Sequence, residues 1–320
     1  MIDKNKLPSL AWMMTFVLTL TGSYWANAQK KTISITIDDV PNTTEYQKNN
    51  FNAKLLHVLD SLNIPFTLFI NEGRVYQTAF SDKNSHLLEK WIEKKQATVG
   101  NHTFSHSQYS EVGIDSFSRD ILQGEIRTKA YAHKNNKEIK YFRFPFNDMG
   151  KDSVQHVQMR KYLQSKGYTV APFTIESSDW MFNAVYCHYL ERGEIEKAQN
   201  VGSLYVSKTM ELVSFFESIS EAIYKRPLNH IYLCHDNAIN ADYLVQIIEK
   251  LRREKYEIVN LEESLTDVTY QQPDSYYKKW GISWLYRWIP TQKERTEWMK
   301  QEPSLSEIED IYTEILSKQK

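Results

Sequence analysis

The sequence predicts an α/β fold in which about seven parallel strands, separated by helices, close into a barrel. Two observations carry this expectation. Runs rich in β-branched and aromatic residues alternate with stretches of helical apolar spacing, and polar residues with catalytic chemistry sit at the carboxyl ends of successive runs. A length of 320 residues suits one such core with an extension, and makes two large independent cores unexpected.

The elements follow in order. KTISITIDDVP opens the alternation with its β-branched Ile and Thr; a helical pattern over Phe51–Leu62 follows, then IPFTLFIN and a helix over His86–Lys95. ATVGNHTFSH leads to a helix over Asp115–Ala132, IKYFRFPF leads to a helix over Ser153–Lys166, and YTVAPFTI is expected as one strand. Helical stretches cover Asn183–Lys225, NHIYLCHDN precedes a helix over Ala241–Lys255, and YEIVNLEE supplies a last short strand. From Thr269 to Lys320 the texture changes to SYYKKWGISWLYRWIP and a polar helix ending in EIEDIYTEIL. Aromatic surface of this kind is costly to leave in water, so residues 269–320 are expected to pack on a barrel formed by residues 29–268.

Composition narrows the function. A formal charge of −1, a pI near 6.8 and the absence of any basic block argue against affinity built on neutralising nucleic-acid phosphates. Ten glycines in 320 residues are less than half the usual share of roughly 7%, and neither GxGxxG nor GxxxxGK[ST] occurs. Twenty tyrosines and eight tryptophans supply flat amphipathic surface that suits sugar rings as well as cores.

The first segment reads as an address. Lys4 and Lys6 precede an uncharged, mostly apolar run from Leu10 to Trp25, which ends in Ala26-Asn27-Ala28, the small-x-small pattern of signal cleavage. Residues 1–28 are therefore expected to be a secretory signal, cleaved before Gln29, the alternative being an uncleaved anchor. The mature chain is expected to be secreted or periplasmic, with no stable membrane span after cleavage. Two cysteines, Cys187 and Cys234, allow one bridge or two buried thiols.

Five short motifs carry chemistry. ITIDDVP ends a strand on the adjacent carboxylates Asp38 and Asp39; these suit a turn cap, but two such charges resist ionising together unless a cation sits between them. NHTFSH places His102 and His106 four residues apart, expected on one side of a helical turn, and two neutral imidazoles with a carboxylate form a familiar zinc set. FRFPF offers Arg143 as a partner for a carboxylate, ESSDW offers Asp179 beside Trp180, and YLCHDN offers His235. Each has a plain structural reading of its own. Their arrival in order at the ends of successive strands is what points to a site.

In this order the five motifs resemble those of the polysaccharide deacetylases, the carbohydrate esterase family 4 or NodB-homology group, over Lys31–Glu263. The tail carrying GISWLYRW is similar to the ending of a branch of secreted deacetylase-like proteins of Gram-negative bacteria. The resemblance implies a distorted (β/α) barrel. It also implies Asp38 as general base, with Asp39, His102 and His106 holding one divalent metal, usually zinc. Arg143 would orient Asp38, His235 tuned by Asp179 would be the general acid, Leu233 and Trp180 would line an acetyl pocket, and the Phe146 backbone N–H would face the oxyanion.

Two positions depart from the family pattern. Val40 stands where many members carry Gly, implying a narrower approach to the metal, and FRFPFNDMG lacks the RPPYG ending, implying a reshaped loop after Phe146. The implied activity is metal-dependent removal of acetyl groups, N-acetyl before O-acetyl, from peptidoglycan, chitin-type oligomers or exopolysaccharide. The alternatives are a related amidohydrolase acting on small C–N substrates and a catalytically silent carbohydrate-binding protein.

Overall fold

The computed structural model describes residues 30–318, so the expected signal segment lies outside the described residues. The chain runs β1 (Thr32–Val40), α1 (Thr43–Lys48), α2 (Lys54–Leu62), β2 (Phe66–Ile70), α3 (Ser81–Glu93), β3 (Ala97–Asn101), α4 (Tyr109–Gln123), α5 (Ile126–Lys134) and β4 (Ile139–Phe142). It continues through α6 (Ser153–Ser165), β5 (Thr169–Val170), β6 (Ile175–Glu176), α7 (Asp179–Glu191), α8 (Ile195–Tyr224), β7 (Asn229–His235), α9 (Ala238–Arg253) and β8 (Glu257–Val259). A short α10 (Leu261–Ser264) closes the barrel segment, and the tail holds α11 (Trp284–Arg287), α12 (Gln292–Met299) and α13 (Ser306–Lys318).

Every strand pairing is parallel, in the order β5-β4-β3-β2-β1-β7-β6, with β8 joining β1. β8 pairs with Thr32–Ser34 and β2 takes over from Ile35, so the two share one edge of β1. The result is a curled, distorted (β/α) barrel ringed by helices. Strand alternation sorts the side chains. Ile33, Ile35 and Ile37 face the helices in the main core, whereas Ser34, Thr36 and Asp38 share the inner face with Thr67, Phe69, Ile231 and Leu233 through the pairing register. Gly100 belongs to that inner face, where a Cβ would meet the Phe69 ring at 2.6 Å.

The barrel has a seam. YTVAPFTI was expected as one strand, but Pro172 has no N–H to give and the run divides there. β5 pairs with β4, β6 pairs with β7, and the intervening Ala171–Thr174 links the two edges. The tail lies against this seam: Trp284 N–H donates to Phe173 O at 3.0 Å, Ser283 Oγ donates to Thr174 O at 2.7 Å, and the Phe173 and Trp284 rings meet edge to face. The single helix expected over Asp115–Ala132 also divides, at Gly124 and Glu125. A Cβ on Gly124 would lie 2.4 Å from the Thr103 carbonyl carbon, so this break lets the histidine-bearing loop close onto α4. Cys187 and Cys234 are both free thiols, Cys234 being buried on the helix-facing side of β7.

Candidate active site

Adjacent residues of a regular strand point to opposite faces, so Asp38 and Asp39 can share a pocket only if the strand is irregular there. It is irregular: the β1–β2 register steps from Ile37↔Leu68 to Val40↔Ile70, one extra residue on β1, and Asp39 adopts a left-handed φ of 64°. Aspartate tolerates that conformation better than most residues. Asp38 and Asp39 consequently both line a cavity of about 590 Å³ at the carboxyl ends of the strands. Val40, where a narrowing of the approach was expected, is fully buried in the hydrophobic core and is not among the residues lining that cavity.

His102 and His106 are not on a helical turn. They bracket an irregular loop after β3, with positive φ at Thr103 and His106. The loop is held from three sides. Asn71 Nδ2 donates to the Thr103 and Phe104 carbonyls at 3.1 and 2.8 Å, Gly73 N–H donates to Phe104 O at 3.0 Å, and the Asp120 carboxylate accepts from the Ser105 N–H and hydroxyl. Clamped in this way, the two rings lie edge to face with centroids 5.0 Å apart.

Asp39, His102 and His106 offer one ligand atom each, all within 4.8 Å of one another. Asp39 Oδ1 lies 3.2 Å from His106 Nε2 and 3.8 Å from His102 Nε2 and carries no hydrogen bond, although it is buried. Its other oxygen is taken by Arg74 at 2.7 Å. His102 Nδ1 donates to the Arg143 carbonyl at 2.8 Å, which leaves the Nε2 lone pair facing Asp39. Burial and the neighbouring His106 keep His102 well below the usual imidazole range, and burial lowers His106 as well. Burial works against ionising Asp39, yet Arg74, His106 and His102 hold its carboxyl at about 2. Two neutral imidazoles and an ionised, orphaned carboxylate oxygen are the donor set a divalent cation takes.

Asp38 stands beside this triad. It is buried, its Oδ1 has no hydrogen bond, and its Oδ2 lies 3.6 Å from Arg143 Nη1 and 4.0 Å from His102 Nε2. Burial pushes its carboxyl up to about 6 against the pull of Arg143. Arg143 is itself fully buried inside the barrel; Nη2 donates to Thr36 Oγ1 and Pro172 O, and the guanidinium lies 4.5 Å from the Phe69 ring centroid.

The register pairs Asp38 with His235 on the neighbouring strand β7. His235 Nδ1 meets Asp179 Oδ1 at 2.6 Å, and Asp179 Oδ2 accepts from the His235 N–H and from the side-chain amides of Asn237 and Asn240. Burial opposes the imidazolium, but the Asp179 charge and hydrogen bond raise its affinity for a proton well above the usual range. Asp179 sits at the start of α7, where the helix dipole favours its charge. Leu233, half-exposed Trp180 and exposed Phe146 also line the cavity, with Phe146 packed edge-on to His106.

All ten residues singled out in the sequence therefore gather in or beside one cavity. Arg74, Glu176, Asp236, Lys279 and Trp280 line it too and were missed. Glu176, Arg74 and Asp236 follow the same strand-end rule, at or just after the ends of β6, β2 and β7, and could have been found by applying it to every strand. Lys279 and Trp280 lie in the aromatic run SYYKKWGISWLYRWIP, which the sequence assigns to packing on the barrel and not to the cavity.

The family model described as polysaccharide deacetylase matches residues 26–171. A peptidoglycan-N-acetylglucosamine deacetylase of Bacillus cereus is 22% identical over 181 residues, covering 56% of this chain and 55% of that protein. The chain thus spans about half the length of this curated relative. Among solved structures, a CE4 family pseudoenzyme from Bacillus anthracis aligns over 74% of this chain and 66% of its own, at 18% identity and a TM-score of 0.51. A mutant CE4 family pseudoenzyme with restored enzymatic activity aligns over 74% and 68%, at 20% identity and the same TM-score of 0.51. These likenesses show the fold.

Proposed function

We propose, for a chain whose residues 26–171 match the polysaccharide deacetylase family model, a metal-dependent hydrolase that removes acetyl groups from an N-acetylated amino-sugar polymer or oligosaccharide. The observation that carries this reading is the triad of Asp39, His102 and His106 lying next to Asp38, which is itself in register with an Asp179-bound His235.

Asp39, His102 and His106 would hold the cation, with zinc the expected one. When bound, such an ion polarises an acyl oxygen and makes a water molecule more acidic. The chain's own groups do the rest. Asp38 accepts the proton of the attacking water as its oxygen bonds to the acetyl carbon. Arg143 beside Asp38 favours the carboxylate form. His235 gives its proton to the sugar nitrogen as the C–N bond breaks, so acetate and a free amine leave. Leu233 and Trp180 would hold the acetyl methyl group, and the Phe146 backbone N–H is the candidate donor to the developing oxyanion.

The same reading includes a leader at residues 1–28 and a secreted or periplasmic location, which favours cell-envelope or extracellular carbohydrate as substrate. The test is acetate release by the metal-loaded protein from peptidoglycan fragments, chitooligosaccharides and acetylated xylan, with bound metal measured in parallel. Asp38→Asn is expected to keep the metal and lose about 10²–10⁴-fold in kcat, while His102→Ala loses both. Full activity in Asp38→Asn would remove the base assignment. Metal binding without acetate release from any substrate would leave a carbohydrate-binding protein.

A further inference from the structure

The cavity has a wall that comes from outside the segment matched to the family. Lys279, Trp280 and Gly281, in the link between α10 and α11, line it together with Asp38, His106 and Phe146. The tail is otherwise an aromatic core: Tyr276, Trp284, Tyr286 and Trp288 are all buried, as their apolar area requires. Trp280 is 66% exposed, more than any other aromatic side chain of the tail among the described residues, Tyr277 following at 42%, and no other aromatic ring among those residues packs against it. An indole left mostly open where it borders this cavity presents an apolar face to whatever enters it.

The wall is firmly seated. Gly281 approaches the turn at Pro145–Asn147 so closely that a Cβ would lie 2.4 Å from Phe146 O and 2.5 Å from Asn147 Cβ. Lys279 Nζ lies 5.1 Å from the Trp280 ring centroid and 4.0 Å from Glu111 on α4, a cation holding one side of the indole. The tail also touches the tryptophan of the acetyl pocket, since Tyr312 of α13 packs edge to face against Trp180 with centroids 5.6 Å apart. Two half- to two-thirds-exposed indoles and the exposed Phe146 ring thus border one cavity.

We propose that Trp280 is a sugar-stacking residue of a second subsite, holding a pyranose ring next to the acetylated one, so that the tail selects oligosaccharides over single sugars. The ring C–H face of a pyranose is apolar and its edge polar, which suits a flat indole open on one side. The subsite rests on the deacetylase reading for the identity of its ligand, but its binding can be measured without turnover.

Trp280→Ala and Trp280→Phe are to be compared with the wild type on N-acetylglucosamine tetramer and monomer, by acetate release and by calorimetric titration. Because Trp280 is mostly exposed, both variants should keep the wild-type thermal midpoint. The expected result is a rise of about tenfold in tetramer KM and Kd for Trp280→Ala, kcat within about twofold, no change for the monomer, and most of the loss restored by Phe. Equal tetramer KM and Kd in wild type and Trp280→Ala would overturn the subsite while leaving the deacetylase reading intact. Tetramer binding that depends on Trp280 without any acetate release would sink the deacetylase reading and keep the subsite.

Discussion

Burial opposes a proton on His235, and the chief group restoring it is one buried carboxylate, Asp179, with smaller help from the charges of Asp39 and Asp38. Asp179 gives one oxygen to the imidazole and the other to a backbone N–H and two side-chain amides, so its charge is fully committed. Replacing it by Asn keeps the shape and removes the charge that favours imidazolium, and the folded His235 then loses its proton at lower pH. A general acid must start protonated. In Asp179→Asn the alkaline limb of the kcat profile should therefore move to lower pH, with activity at pH 8 falling more than at pH 6 and metal content unchanged. An unshifted limb would show that His235 is not the acid. Arg74 works at the same scale: by holding Asp39 Oδ2 it leaves only Oδ1 turned toward the two histidines.

The histidine loop depends on what packs around it. Gly73 precedes Arg74 in the short turn after β2, and a Cβ there would sit 2.2 Å from Phe104 O, the carbonyl that Gly73 N–H and Asn71 both grip. Gly73→Ala should push the loop outward at a cost of about 1–3 kcal/mol. Its metal affinity, measured by titration, should fall together with its thermal midpoint. Unchanged affinity would mean that the loop does not set the triad. The four-residue spacing of His102 and His106 pointed to two rings that do converge, but through the wrong local structure. Two imidazoles four apart can converge on a helix or on a clamped loop, and the clamp comes from Asn71, Gly73 and Asp120 far away in sequence.

The tail is tied to the barrel at both the seam and the far end of β7. Asp267, two residues before the tail, accepts from Nη1 and Nη2 of Arg226 just after α8, from Thr269 N–H at the tail's first residue and from Asn229 N–H at the start of β7. Burial alone would raise its carboxyl, and these partners hold it at about 2. A depressed folded value stabilises above the unfolded value near 4 and is lost as pH falls through about 2. Asp267→Asn should be less stable by about 1 kcal/mol at neutral pH, allowing for solvent on Arg226, with the gap closing between about pH 4 and 2. Thermal midpoints across that range decide it; a gap independent of pH would mean that the carboxylate's charge is not involved.

The sequence alone determined the parallel alternation, because β-branched runs and helical spacing are local properties of the chain. It also singled out Asp38, Asp39, His102, His106, Arg143, Asp179 and His235, because their chemistry recurs at strand ends whatever lies between them, while Leu233, Trp180 and Phe146 came only from the family resemblance. Which side chains meet was decided by tertiary structure. The bulge that turns Asp38 and Asp39 to one pocket, the register that sets Asp38 beside His235, and the arrival of Trp280 at that pocket all arise from pairings between segments distant in the chain. The divided strand at Pro172 lies between these cases: the proline is visible in the sequence, but the seam it opens and the tail that covers it exist only once the barrel curls.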